Sequence, residues 1–240
     1  IKAHDVLISL AAVVGAPACG LCPRDSRSIN VGAVRLLNEL RSKDQPVLFP
    51  VTNSGYGIGE EGKFCTEETP LRPISGYGRQ KVEAEKILLD KGNAICFRLA
   101  TAFGVSPRMR IDLLVNDFTY QAVTNGCLVL FEEHFKRNYI HVRDIARVFH
   151  FGLENFNRMK NEVYNVGLSS ANLSKLELAE RIKKQVPGLV IISSDIGTDP
   201  DKRDYIVSNE KVERAGFKPS YSIDDGVRNL IKAYKFLKNT

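Results

Sequence analysis

VLFPVTNSGYG (47–57), SGYGRQKVEAEKILLDKG (75–92) and AICFRLA (94–100) together decide the architecture. VLFPV and AICFRLA are short apolar runs without polar alternation, as expected for strands buried on both faces of a parallel sheet. Between them a helix is expected from about Ser75 to Asp90, broken by Gly92. Upstream, VLISLAA (6–12) reads as another buried strand. Pro23 and Asp25 then open a helix whose Ile29, Val34, Leu36, Leu37 and Leu40 form a core-facing stripe. Strand and helix alternate, the pattern of a doubly wound α/β sheet. Ligands bind beyond the carboxyl ends of such strands, and Thr52 stands at one of them.

Tyr77 and Lys81 are spaced i, i+4, so a phenol and an ammonium share one helix face. A nearby ammonium favours phenolate and is expected to lower the tyrosine pKa, making the group a usable base. Thr52, 25 residues earlier (77 − 52), offers a hydroxyl to the same proton path. The trio points to redox chemistry at a carbinol carbon. Tyr234 and Lys238 repeat the spacing without the strand, the Gly-rich loop or the proline segment TPLRPIS (69–75), and are expected to be a packed ring and a solvated lysine.

With this context the chain resembles the extended short-chain dehydrogenase/reductase family, in its nucleotide-sugar epimerase/dehydratase branch. HDVLISLAA (4–12) resembles the fourth strand and the loop under the nicotinamide ribose. NVGAVRLL (30–37) resembles Asn-x-x-Gly-Thr, VTNSGYG (51–57) resembles Ser/Thr-x-x-x-Tyr-Gly, and SGYGRQKVEAE (75–85) is the Tyr-x-x-x-Lys helix. FRLATAFG (97–104) resembles Arg-x-x-Asn-x-Tyr-Gly-Pro, and RNYIHVRDIA (137–146) resembles Arg-Asp-Tyr-Ile-His-Val-x-Asp. The resemblance implies a Rossmann-type doubly wound parallel sheet over 1–104 and 137–168, and a smaller substrate-binding lobe over 105–136 and 169–240.

It also implies roles. Tyr77 is the general acid/base, Lys81 lowers its pKa and holds the nicotinamide ribose, and Thr52 hydrogen-bonds the reacting oxygen. A threonine at a strand end can instead bond its local backbone. Leu10, Ala11, Ala12, Asn30 and Ala100 join these three as expected contacts of NAD, with NADP open, and strand-end packing is the alternative for Leu10, Ala11 and Ala12. Asn30 can equally satisfy backbone groups where its helix begins. Arg137 is expected to fork onto the diphosphate of a nucleotide sugar, or else to be a surface arginine before a strand. Asn53, Ser54, Thr101, Asn116 and Arg203 are expected to meet the same substrate. Asn116 has a helix N-cap as its alternative, and Arg203 a surface ion pair with neighbouring acids.

Departures from the family narrow the reaction. Dehydratases follow the threonine with Asp-Glu, because eliminating water needs an extra acid and base; Asn53 and Ser54 stand there. The 3,5-epimerases use a cysteine where Ser54 lies. What remains is an NAD-dependent 4-epimerase working through a transient 4-keto sugar, or an NAD(P)H-dependent keto-sugar reductase. The family's opening strand, Gly-x-x-Gly-x-x-Gly loop and helix, which hold the pyrophosphate, have no counterpart after Ile1. Roughly two βα units, at about 30 residues per βαβ motif, are thus expected to be missing. The sequence is read as a fragment, or else as a non-catalytic nucleotide-sugar-binding homologue. Gly55, Gly57, Gly59 and Gly62 are read as a mobile active-site loop.

The bulk numbers fit this class. Of 240 residues 43% are apolar and 26% charged, as in a soluble globular protein. A net charge of +6 suits an anionic substrate, and without a basic arm it does not favour nucleic acid. Five cysteines argue against a disulfide-stapled secreted chain. Cys19 and Cys22 form Cys-x-x-Cys, yet two further zinc ligands are not in view, and by resemblance the pair falls in a loop bordering cofactor and substrate. His134, His141 and His150 lack ligand spacing, so no metal is expected. With neither a signal nor a membrane-spanning run, the cytoplasm is the expected location. A homodimer through the helices at about residues 24–43 and 75–90 is implied by the family.

Overall fold

The structure, a computed structural model, describes residues 1, 3–195 and 203–238. β1 (Leu7–Ile8) leads through α1 (Ala16–Leu21), α2 (Pro23–Arg27), a π turn at Ser28–Gly32 and α3 (Ala33–Leu40) to β2 (Val47–Thr52). A 3-10 turn at Asn53–Gly55 and β3 (Phe64–Cys65) precede α4 (Gly76–Lys91), β4 (Ala94–Leu99) and β5 (Thr101–Phe103). Then come α5 (Leu114–Thr124), β6 (Cys127–Phe131), β7 (Lys136–His141), α6 (Val142–Glu154), α7 (Phe156–Met159) and β8 (Glu162–Val166). The chain continues through β9 (Asn172–Ser174), α8 (Lys175–Gln185), β10 (Val190–Ser194), β11 (Ile206–Val207), α9 (Glu210–Arg214) and α10 (Ile223–Lys238).

β1, β2, β4 and β8 form a four-stranded sheet in that order, every pairing parallel. Side chains of β2 alternate between two cores. Val47, Phe49 and Val51 pack with Val34 of α3 and with Ala84 and Leu88 of α4. Leu48 points the other way, with Ile95 and Phe97, against Val148 and Phe149 of α6. Helices therefore cover both faces, and the α/β class expected from the sequence is observed. Full burial of residues such as Leu48, Leu88 and Phe97 contributes roughly 1.5–3 kcal/mol each. Gly152 lets α6 settle on the sheet, since a Cβ there would lie 2.7 Å from the Phe97 ring. A third core joins Val115 and Phe118 of α5, Leu178 and Ile182 of α8, and Val227 and Leu230 of α10.

The helix that carries Tyr77 has well-marked ends. Ser75 Oγ accepts from Gly78 N–H at 3.1 Å, and Gly92 closes the last turn at φ 79°. That is a serine N-cap and a glycine stop.

Several expectations are corrected. The helix opened by Pro23 is interrupted by the π turn, and Ile29, Leu36 and Leu40 of its stripe are exposed, leaving Val34 and Leu37 in the core. β7 does not join the main sheet. It pairs with β5 in parallel and β9 in antiparallel, because the chain leaves the sheet after Leu99. His141 caps α6, while Asp144 in its first turn accepts from Ser220 and Tyr221 N–H at 3.0 Å each. The Gly-rich loop is tied down rather than loose. Arg72 N–H bonds Gly55 O, Gly59 N–H bonds Asp204 O, and Ile58 bridges Asp204. Tyr234 is a packed ring as expected, its hydroxyl donating to Asn116 O at 3.1 Å; the Lys238 side chain lies outside the described residues. Among the described residues no helix is long and apolar enough to cross a membrane.

Candidate active site

β2 and β4 end side by side, Thr52 opposite Leu99. Beyond them opens a cavity of about 510 Å3. Thr52, Tyr77 and Lys81 all face it, so strand end and helix face converge as their spacing suggested. Leu10 and Ala12 reach it from the loop after β1, Ala100 and Thr101 from the junction of β4 and β5. Ser54, Arg137 and Arg203 complete the expected residues on its wall.

Four expected contacts do not line it. Ala11 is exposed to solvent. Asn30 is buried behind the wall, where its Oδ1 accepts from Val13 N–H at 2.8 Å and its Nδ2 donates to Val13 O at 2.9 Å and Gln80 Oε1 at 2.8 Å. It satisfies backbone groups, the alternative that its sequence position allowed. Asn53 is buried beneath the 3-10 turn with both amide atoms unpartnered. Asn116 neither lines the cavity nor caps α5. Its Oδ1 accepts from Gly104 N–H at 3.0 Å and its Nδ2 donates to Arg110 O at 2.9 Å, pinning the loop after β5.

Thr52 does two things at once. Its Oγ1 accepts from Ser54 N–H at 3.2 Å, the local turn bond of a strand-end threonine, and donates to Ser54 Oγ at 3.0 Å. Arg203 Nη1 donates to the same Ser54 Oγ. Guanidinium, serine and threonine thus form one hydrogen-bonded row along the cavity.

The electrostatics differ from the expectation. Burial pushes the Tyr77 phenol up to about 12, opposed by the charges of Arg203 and Arg110 and reinforced by Cys19. Lys81 does not enter that balance. Its ammonium lies 4.1 Å from the centre of the Phe49 ring, and burial brings its pKa down to about 8. Desolvation, rather than the charge of the lysine, therefore sets the direction of the tyrosine's shift.

Sequence reasoning missed three groups. Arg110 lines the cavity and bonds the Asp112 carboxylate. Tyr205 lines it too, edge-on to Tyr56 at 6.3 Å. Behind the wall, Arg98 of β4 forks onto Glu85 of α4 at 3.0 and 2.7 Å, both side chains 6% exposed. Arg98 also donates to the Tyr56 hydroxyl at 3.1 Å, and Tyr56 donates to Asn165 Oδ1 at 2.7 Å. The signals were present: an arginine inside the apolar run AICFRLA, and an acid four residues after Lys81. A charge in a buried strand requires a partner. Among the described residues no cluster suited to a metal ion occurs.

Known proteins share this arrangement of elements. The NAD dependent epimerase/dehydratase family description matches residues 1–167. Low-salt glycan biosynthesis protein Agl12 of Haloferax volcanii is 27% identical over 193 residues, covering 76% of this chain and 59% of that protein. UDP-glucose 4-epimerase of Lactobacillus helveticus is 26% identical over 232 residues, covering 85% of this chain and 68% of that protein. The chain therefore spans about three-fifths to two-thirds of the length of these relatives. Among solved structures, RMD from Pseudomonas aeruginosa complexed with NADPH superposes with a TM-score of 0.84 at 21% identity, covering 97% of this chain and 82% of that one. UDP-glucuronic acid 4-epimerase from Bacillus cereus, in complex with UDP-glucuronic acid and NAD, gives 0.83 at 22% identity, covering 97% and 76%.

Proposed function

Because the chain belongs to the NAD-dependent epimerase/dehydratase family, we propose that it carries the proton-transfer and substrate-holding part of an NAD-dependent 4-epimerase acting on a nucleotide-diphosphate sugar. The single observation behind this reading is the cavity that Thr52, Tyr77 and Lys81 share with Arg110, Arg137 and Arg203. Hydroxyl, phenol and ammonium suit a reacting carbinol, and a set of guanidinium groups suits a diphosphate.

The residues present fit a nicotinamide dinucleotide. Lys81 is 3% exposed and faces the cavity, and its ammonium has an aromatic ring rather than a carboxylate against it. It is free to hold ribose hydroxyls. Bound NAD supplies the hydride acceptor and donor; the protein supplies orientation and proton movement. Thr52 holds the sugar hydroxyl through its Oγ1, and Tyr77 takes the proton from that oxygen and returns it. Arg137 and Arg203 grip the diphosphate and so fix the ring against the phenol. Asn53 and Ser54 supply neither the acid nor the base of a dehydration.

One observation favours a second reading. A phenol pushed up to about 12 is protonated at neutral pH, the form needed to donate to a keto oxygen in a reductase. A relative from Escherichia coli named dTDP-4-dehydro-6-deoxyglucose reductase is 22% identical over 192 residues.

The test uses UDP- and dTDP-hexoses with catalytic NAD, and their 4-keto forms with NADPH. Epimer interconversion without net cofactor turnover supports the epimerase; stoichiometric NADPH oxidation assigns the reductase. Neither reaction, with NADH fluorescence unchanged on mixing, would leave a non-catalytic homologue. In the active case Tyr77→Phe and Thr52→Val each lower turnover by about 10²–10⁴ while NADH binding persists. Pairing of two copies through α3 and α4 belongs to the same proposal, supported by the exposed Leu36 and Leu40. Light scattering of the chain in solution checks it. A reducing, cytoplasmic setting is supported by five free cysteines.

A further inference from the structure

One wall of the cavity is fastened by a thiol. Val14, Gly15, Ala16 and Pro17 line the cavity, and the segment is anchored at Val13. Both backbone groups of Val13 are held by Asn30, and the Cys19 Sγ donates to the same Val13 carbonyl at 3.4 Å. Cys19 Sγ also lies 3.7 Å from Asn30 Nδ2 and 3.8 Å from Gln80 Oε1. Gln80 sits in α4 between Tyr77 and Lys81, so this buried cluster ties the wall to the helix bearing the candidate acid/base.

Cys22 follows three residues later, at the end of α1, half-buried, its thiol donating to Ala18 O at 3.2 Å. Three helical steps of about 1.5 Å on a radius of about 2.3 Å put the two Cα atoms about 5 Å apart. A disulfide requires roughly 4.4–6.8 Å. Cys65, Cys96 and Cys127 lie on β3, β4 and β6 and have no such neighbour among the described residues.

We propose that Cys19 and Cys22 are a thiol-oxidation site, closed to a disulfide by hydroperoxides, and that closure releases the Val13–Pro17 wall of the cavity. Cys22 meets the oxidant first, being the more exposed. Its sulfur takes one oxygen from the hydroperoxide, giving a sulfenic acid and releasing the alcohol, or water from hydrogen peroxide. The Cys19 sulfur then attacks the Cys22 sulfur; the S–O bond breaks, the S–S bond forms, and the sulfenic oxygen leaves as water with the Cys19 proton. Two thiols are oxidised and one peroxide bond is reduced. Burial pushes the Cys19 thiol up, with the nearby Cys22 adding to the rise, so Cys19 is the resolving partner rather than the first to react. Turning toward Cys22 takes Cys19 Sγ away from Val13 O and Gln80. The link itself is independent of the reaction proposed above; its effect on nicotinamide binding rests on that reading.

The test treats the full chain with hydrogen peroxide, alkylates remaining thiols and digests with trypsin. Residues 3–24 form one peptide holding Cys19 and Cys22 and no other cysteine. The expected product is that peptide, unalkylated and two hydrogens lighter, restored by dithiothreitol. Amide exchange at 13–17 rises in the oxidised chain, and NADH binds about fivefold more weakly, the effect of losing one hydrogen bond. Cys22→Ser abolishes all three responses and Cys65→Ser none. A doubly alkylated peptide after peroxide treatment, or Cys22 oxidised to sulfinic acid without a link, overturns the site. A linked peptide with exchange at 13–17 unchanged overturns its effect on the wall. If the reduced chain does not bind NADH, the functional reading fails, while mass and exchange still decide the thiol site.

Discussion

Replacing Lys81 by methionine should stabilise the chain at pH 7 with no nucleotide added. The ammonium is buried, and its pKa falls from the ordinary 10.5 to about 8. That difference corresponds to about 3 kcal/mol against the folded state wherever the lysine is charged in both states. The contact with the Phe49 ring at 4.1 Å returns about 0.5–2 kcal/mol, so the net gain expected for Lys81→Met is about 1–3 kcal/mol. A depressed lysine pKa means that the unfolded chain binds more protons between about 8 and 10.5. Wild-type stability therefore rises with pH through that window, and the advantage of the variant disappears by its upper end. Tyr77, present in both chains, cancels in the difference. Urea unfolding followed by circular dichroism at pH 7, 8.5 and 10 measures it. A variant less stable than wild type at pH 7, or a difference that does not shrink with pH, would refute the account of Lys81 as a charge held at a cost for function.

Other perturbations follow from the same structure. Glu85→Gln leaves Arg98 charged and buried, which costs about 3–5 kcal/mol; at about 2–4 °C per kcal/mol for this chain length, the melting temperature should drop by roughly 6–20 °C. The double change Glu85→Leu with Arg98→Met should recover most of that loss, and calorimetry of wild type, Glu85→Leu, Arg98→Met and the double variant closes the cycle. Asn30→Ala removes the two Asn30 hydrogen bonds that hold Val13 and should cost about 1–3 kcal/mol, with faster amide exchange at 13–17 as the local readout. Gly57→Ala places a Cβ 2.2 Å from Arg72 O at φ +74°. It should destabilise by about 1–3 kcal/mol and weaken nucleotide binding; a melting curve matching wild type would contradict that.

Much of this was legible in the sequence, and for identifiable reasons. β2, α4 and β4 follow from uninterrupted apolar runs and a bounded helix, features that depend on near neighbours. Thr52, Tyr77 and Lys81 meet because strand end and helix face are local geometry. Arg137 and Arg203 line the same cavity. What failed was whatever depended on distant partners. The exposure of Leu36 and Leu40 depends on what packs over α3, and periodicity does not reveal that. Asn116 looked like a helix cap, yet its partners are Gly104 and Arg110. The phenol was expected to be acidified by its lysine, but pKa is set by how much water the surrounding wall removes. That wall includes Arg110, whose place in the cavity no local pattern announces.

The pairing of Ile58 with Asp204, of β3 with β11, and of Ser54 with Arg203 joins parts of the chain up to 149 residues apart. Contacts of such separation form slowly, since a long loop must close before they repay its entropy. β2, α4 and β4 can associate early, on neighbouring segments alone. The 203–207 strip adds Arg203 and Tyr205 to the cavity wall, so a newly made molecule is expected to acquire its sheet before that part of its pocket.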